Sequence, residues 1–223
     1  KILQKMAYQV NQVWNNANEY TSENGAIPIP GYGWYFNRIT AYDLSKEQIR
    51  HTKERELYLI HSGTVQEVTE EHYTRRKQFK KNKLRWRISS GPRRSLGWVP
   101  FKVGSVKFIN GQIRYRGRFF KVWDSWGLSK YEFRSGSFSQ DARGRWYCNI
   151  VVRVPKTMSE GTSVVGIDLG LKKIAVCSDG TKLENSRWYR NAQDKLAKSQ
   201  RTKKKKLVRT IHAKIKNKRK DTL

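Results

Sequence analysis

Apolar residues recur every three or four positions along the start of the chain. Ile2, Met6, Val10, Val13, Ala17 and Tyr20 form one stripe, which predicts an amphipathic helix. Pro28, Pro30 and Gly31, within the stretch from Gly25 to Gly33, break that pattern. Ser45 followed by Gln48 reads as a capping box that opens a second helix running to about Ile60. Thr64 followed by Glu67 opens a third, with Val65, Val68, His72 and Phe79 along one face. Residues 1–85 therefore read as a helical module.

The period changes from Leu84 onward. Ser105 to Ile109, Ile113 to Arg116 and Trp146 to Val152 are short alternating runs, separated by glycines at 111, 117, 127, 136 and 144. Short strands with regular turn signals predict an antiparallel β-barrel or sandwich over residues 86–160, with Pro155 to Gly161 as a linker. A third pattern fills residues 161–223. Ser163 to Asp168 is an apolar strand that ends in a carboxylate, Ile174 to Cys177 is a second strand, and Ser178-Asp179-Gly180 is a hairpin turn. Two helical stretches follow, the second with Leu207, Val208, Ile211 and Ile215 on one face. The fold class expected is α+β and multidomain.

Charge narrows the choice of partner. Among 223 residues, 47 Lys+Arg stand against 18 Asp+Glu, a formal net charge of +29. Such an excess repels itself unless a polyanion is present, so nucleic acid is the first partner to consider. With 8 Trp, 11 Tyr and 8 Phe the chain has the means to build cores, which separates it from a disordered basic tail. No apolar run reaches the length of a membrane span, and the first residues lack the form of a signal peptide, so a cytoplasmic location is expected. Cys148 and Cys177 have no partner at metal-site spacing and read as buried thiols. The chain starts at Lys1 without a Met and stops at Leu223 within a helical pattern, so it is expected to be part of something longer.

The positive charge is concentrated. Arg75, Arg76, Lys77, Lys80, Lys81, Lys83, Arg85 and Arg87 occupy eight of thirteen positions with no acid among them. A second run, from Arg187 to Lys220, holds 15 Lys+Arg and one acid, Asp194. Its candidates for phosphate contact are Lys203, Lys204, Lys205 and Lys206, then Arg209, Lys214, Lys216, Lys218 and Arg219. Solvated helix faces normally carry both signs, so one-signed runs favour polyanion contact. Arg114 and Arg116 alternate with aromatic residues, and Lys172 and Lys173 follow the strand that carries Asp168. Strand alternation sends most of those rings to the core and leaves Arg and Lys outside.

Asp168, within Gly166-Ile167-Asp168-Leu169-Gly170, is the residue that most suggests chemistry. A carboxylate at a strand end suits Mg²⁺, and neighbouring glycines allow a phosphate close to the backbone. It also suits a plain turn, in which the carboxylate accepts backbone N–H bonds. Actin-like ATPases and RNase H-like nucleases both place an Asp in this manner, and the charge agrees better with a nuclease.

The stretch Gly166 to Ala175, then Ser178-Asp179-Gly180, then Arg187 to Leu223 with Ile211 to Asp221, strongly resembles TnpB, the transposon-encoded relative of type V CRISPR effectors. Gly97 to Lys102, Gly144 to Tyr147 and the helix from Thr64 to Phe79 are similar to the same family. The resemblance implies an RNA-guided DNA endonuclease of prokaryotic cytoplasm and nucleoid, with guide RNA and target double-stranded DNA as partners. It implies a helical recognition module at 1–85, a wedge β-barrel at 86–160 and the start of an RNase H-like RuvC domain at 161–223. Asp168 matches the first of three carboxylates that hold two Mg²⁺ ions. The other two, and a CxxC zinc element, are expected beyond Leu223, so residues 1–223 by themselves are expected to bind RNA and cut nothing. A nuclease-inactive RNA-guided binding protein or guide-RNA scaffold is the alternative.

Overall fold

The computed structural model describes residues 1–24, 39–155 and 161–222, with the backbone of two strands at 26–29 and 33–36. It divides into two compact units, Lys1–Val154 and Pro155–Leu223.

The first unit opens with α1 (Ile2–Asn24), whose Met6, Val10, Val13 and Ala17 are buried as the apolar stripe predicts. Strands β1 (Ala26–Ile29) and β2 (Gly33–Phe36) pair antiparallel. The expected break at Gly25, Pro30 and Gly31 lies outside the described residues. Helix α2 (Ala41–Glu54) starts earlier than Ser45 and stops before Ile60. Its capping box is Thr40 with Asp43: the Asp43 amide donates to Thr40 Oγ1 at 3.2 Å, and the Thr40 amide donates to Asp43 Oδ2 at 3.0 Å. This box prevails over Ser45 because Ile39 before it and Leu44 after it close together on Ala17 as a hydrophobic staple.

Helix α3 (Ser62–Phe79) is capped by His61, whose Nδ1 accepts from the Gly63 amide at 3.0 Å. Thr64 is not the cap. It is buried inside the first turn, where its hydroxyl donates to Pro100 O at 2.6 Å and lies 2.7 Å from the Tyr115 hydroxyl. Val65, Val68 and His72 are buried along the predicted face, whereas Phe79 is exposed.

Six strands follow: β3 (Trp98–Phe101), β4 (Val106–Ile109), β5 (Gln112–Tyr115), β6 (Arg118–Lys121), β7 (Phe133–Gln140) and β8 (Trp146–Val152). They form two three-stranded antiparallel sheets, β3-β7-β8 and β4-β5-β6, so the expected barrel is not closed. Phe138 of β7 lies between them, with ring centroids 5.4 Å from Phe101, 5.7 Å from Tyr115 and 5.3 Å from Phe120. The reason for the open form is that helices cover the sheet: Met6, Val10, Val13, Val65 and Val68 share one core with Val99, Phe101, Val106, Ile113, Tyr115 and Phe138. Asn110-Gly111 and Arg116-Gly117, all at positive φ, make the two tight turns of the β4-β5-β6 meander. Gly136 is no turn residue. It sits within β7 where a Cβ would lie 2.2 Å from Asn149 O, so only glycine fits. Cys148 is half-buried, and burial pushes its thiol pKa up to about 12.

The second unit contains β9 (Ile167–Leu169), β10 (Lys173–Cys177) and β11 (Lys182–Glu184), antiparallel in the order β11-β10-β9. Helices α4 (Trp188–Asn191), α5 (Gln193–Arg201) and α6 (Lys205–Thr222) follow. Leu196, Ile211 and Ile215 form their core, with Trp188, Ala192 and Val208 packed against it. Strand β9 is not the buried strand the sequence suggests. All its residues are exposed, and Asp168 stands at its middle, opposite Val176 of β10. Among the described residues, no helix is long and apolar enough to cross a membrane.

Candidate nucleic-acid interface

The first basic run is part helix and part extended chain, and α1 holds the extended part in place. Asn18 accepts from the Leu84 amide at 2.6 Å and donates to Leu84 O at 2.9 Å. Asn15 does the same for Arg87, at 2.8 and 2.9 Å. Trp14 Nε1 donates to Arg85 O at 3.0 Å, and Thr21 Oγ1 donates to Asn82 O at 3.1 Å. A side-chain amide presents one donor and one acceptor, so it satisfies a residue's backbone as a neighbouring strand would. Asn11, Trp14, Asn15, Asn18 and Thr21 thus form a polar ladder beside the apolar stripe, which the sequence reading missed. The signal was present: Asn11, Asn15, Asn18 and Thr21 recur at helical spacing.

The clamped segment borders a groove of about 980 Å³ whose lining includes Trp14, Lys81, Lys83, Arg85, Arg87 and Trp98. Lys83 Nζ lies 5.4 Å from the Trp86 ring centroid. The basic residues of this run divide by role. Lys77, Lys80, Lys81 and Arg85 are exposed. Arg75 is exposed too, but its guanidinium meets Glu71 at 2.7 Å and Gln78 at 3.1 Å. Arg76 is buried, and burial lowers its pKa from the ordinary arginine value. Arg87 is a structural pin: Nε donates to Asn11 at 2.6 Å, a terminal nitrogen donates to Leu96 O at 2.9 Å, and the guanidinium lies between the Trp14 and Trp98 rings at 6.0 and 5.6 Å. His72 is fully buried, edge-on to Trp14 of the groove lining. Burial, with the neighbouring Arg76 charge, lowers its pKa to about 4, so it is neutral near pH 7.

Residues 148–223 match the OrfB_IS605 family, described as a probable transposase. Over these residues the chain is similar to the TnpB/OrfB family. No curated protein matches it significantly.

In the TnpB/OrfB-matching region the second basic run lies mainly on α6 and the turn before it. Lys203 takes the left-handed conformation at that turn, and Lys204, Lys205 and Lys206 are exposed beside it. Arg209, Lys214, Lys216, Lys218 and Arg219 lie along α6, while Ile211 and Ile215 face the core. Lys214 and Lys218 line a cavity of about 300 Å³ with Trp188, whose ring centroid is 4.4 Å from Lys218 Nζ. Lys172 is exposed, Lys173 meets Glu184 at 3.7 Å, and Arg114 is exposed on β5. Arg116 donates to Tyr58 O and so ties the β5-β6 turn to the segment before α3.

The carboxylates near Asp168 do not assemble a two-metal site. Asp179 accepts from the Thr181 amide at 2.8 Å, and Glu184 pairs with Lys173. Among the described residues, no three His, Cys, Asp or Glu side chains gather to hold a metal ion. One carboxylate cannot fix the spacing of two ions, so these residues alone do not fit that group.

Proposed function

We propose that the protein is an RNA-guided DNA endonuclease of the TnpB type, and that residues 1–223 hold its guide RNA and target. The single observation that carries the holding role is the clamped segment: Lys81, Lys83 and Arg85 border a groove on a backbone that α1 already orders. Each phosphate neutralised there releases counterions, and prior ordering removes an entropic cost of binding. Base pairing with the guide supplies sequence discrimination, while the protein meets backbone and shape. Asp168 is offered as one carboxylate of the cutting site. The described residues bring no second ligand to it, so they carry no step of the cutting chemistry by themselves.

The same groove serves a second reading, an RNA-guided binding or scaffold protein that does not cut. One experiment separates the two. The protein is purified from its native locus, the RNA that accompanies it is sequenced, and matching double-stranded DNA is offered with Mg²⁺. Under the endonuclease reading the DNA is cut, and Asp168→Ala lowers the rate by about a hundredfold or more while guided binding persists. Guided binding with no cutting by the parent protein selects the scaffold reading. Absence of both guided binding and cutting overturns the two together.

A further inference from the structure

The outer face of β4-β5-β6 belongs to neither feature above. Alternation sorts its residues. Val106, Ile113 and Tyr115 are buried, and Phe120 and Val122 pack against the same core. The residues between them face outward. Lys107, Arg114 and Phe119 stand directly across from one another in the antiparallel register, and Gln112 stands across from Lys121. Phe119 is 54% exposed, Trp123 94% and Trp126 80%.

The loop that carries the two indoles is internally tied. The Asp124 carboxylate accepts from the Trp126 amide at 3.1 Å and the Leu128 amide at 2.9 Å. Gly127 follows at φ 67°, and Leu128 packs on the core as Val122 does. Both ends of the loop are therefore anchored while its large rings stay in solvent. Three exposed rings this close along the chain mark an interaction surface more than chance exposure.

The charge around the rings selects the occupant. Lys107, Arg114 and Lys121 stand on the outward rows with Phe119, and no Asp or Glu occurs from Lys107 to Trp123. The nearest acid in sequence, Asp124, is committed to two backbone amides. Rings offer faces to unpaired bases while Lys and Arg meet the phosphates between them. A duplex keeps its base faces stacked away, so it leaves the rings idle. Gln112 supplies a neutral donor and acceptor in the same row as Lys121, which a ribose 2′-hydroxyl can use and deoxyribose cannot.

We propose that the outer face of β4-β5-β6, with Phe119, Trp123 and Trp126, is a stacking platform for an unpaired stretch of the bound RNA. The proposal rests on the RNA-binding reading above and adds the state of the RNA and a place for it. The test uses the whole protein with labelled oligouridylate, oligodeoxythymidylate and a blunt RNA duplex. Changing Phe119, Trp123 and Trp126 together to Ala weakens oligouridylate binding about tenfold or more and leaves duplex binding within about twofold. A companion carrying Phe119→Tyr, Trp123→Phe and Trp126→Phe keeps rings at all positions and retains most of the affinity. Equal losses on oligouridylate and duplex, or no loss on either, overturn the platform and leave the groove standing. A parent protein that binds no RNA overturns the platform and the RNA reading together. Oligodeoxythymidylate bound as tightly as oligouridylate overturns the assignment to RNA. Full RNA affinity in the alanine variant with loss of self-association gives the face to a protein contact, and overturns the proposal as well.

Discussion

Each unit contains a three-stranded antiparallel sheet of short strands, and the two sheets are held in different ways. In β4-β5-β6, Val106, Ile113 and Tyr115 are buried, and the Tyr115 hydroxyl reaches Thr64 on α3. In β9-β10-β11 no residue is buried among those described, and Leu169 remains 76% exposed. Both sheets use glycine turns and apolar strand residues. The difference lies in the layer behind them: aromatic residues and helices share a core with the first, while the buried core of the second unit lies among its helices. A strand pattern thus specifies that a hairpin forms, but the energy a side chain contributes depends on what covers it.

The comparison breaks most readily at Tyr115. Tyr115→Ala removes a fully buried ring and is expected to cost roughly 3–5 kcal/mol of first-unit stability. Val176→Ala in half-exposed β10 should cost less than about 1 kcal/mol. Urea unfolding of both variants measures the contrast, and similar losses would mean that the sheets carry equal weight after all.

Acid comes next, because among the described residues the buried histidines belong to the first unit: His51 and His72 are buried, whereas His212 is exposed. The folded pKa of His72 is lowered to about 4 from an ordinary value of 6.5. The unfolded chain therefore binds more protons between those values, and stability present above pH 6.5 is lost as pH falls toward 4. The loss approaches about 3 kcal/mol for this residue, and burial of His51 acts in the same direction. Thermal melts of the parent and of His72→Leu across this range should converge at low pH. Parallel curves would remove His72 as the cause.

A smaller effect is expected at the clamp. Asn18→Ala leaves both backbone groups of Leu84 without their side-chain partner and should cost about 1–3 kcal/mol. Hydrogen exchange at the Leu84 amide reads this directly, and unchanged protection would show that the ladder is not what orders the segment.

The smallest change in stability belongs to the exposed lysines that precede and begin α6. Neutralising Lys203, Lys204, Lys205 and Lys206 should alter stability by no more than about 0.5 kcal/mol. The same change should flatten the salt dependence of RNA binding by about 0.7–0.9 in log–log slope for each phosphate no longer neutralised. An unchanged slope would make this run a solvated face and leave the groove of the first unit as the principal phosphate site.

Much of the architecture was legible because its signals are local. The α1 stripe, the Asn110-Gly111 turn and the helical face of Ile211 and Ile215 depend on neighbours a few positions away. The helix starts were misread where a better local alternative lay just upstream. Thr40 with Asp43 prevails because Ile39 and Leu44 meet on Ala17, a packing arrangement the capping-box pattern does not contain. Thr64 went to the interior because Tyr115 and Pro100 needed its hydroxyl. Of the candidate site, the clustering of positive charge was visible, but the separate uses of that charge were not. Arg85 and Arg87 are two apart and chemically identical, yet one is exposed beside the groove and the other joins Asn11 to Leu96.

The sequence by itself determined that α1 is an amphipathic helix, that tight hairpins follow Ile109 and Tyr115, and that the chain carries a large one-signed charge. These follow from side-chain periodicity, backbone preference and composition, which act over short distances or over none. The tertiary structure alone decided that the barrel stays open beneath two helices, that β9 is exposed around Asp168, and that Arg87 is a pin. Those outcomes rest on partners far away along the chain: Asn15 and Arg87 are 72 residues apart and meet through two hydrogen bonds. No short pattern encodes such a meeting, because burial and hydrogen-bond satisfaction are settled only when distant segments compete for the same space.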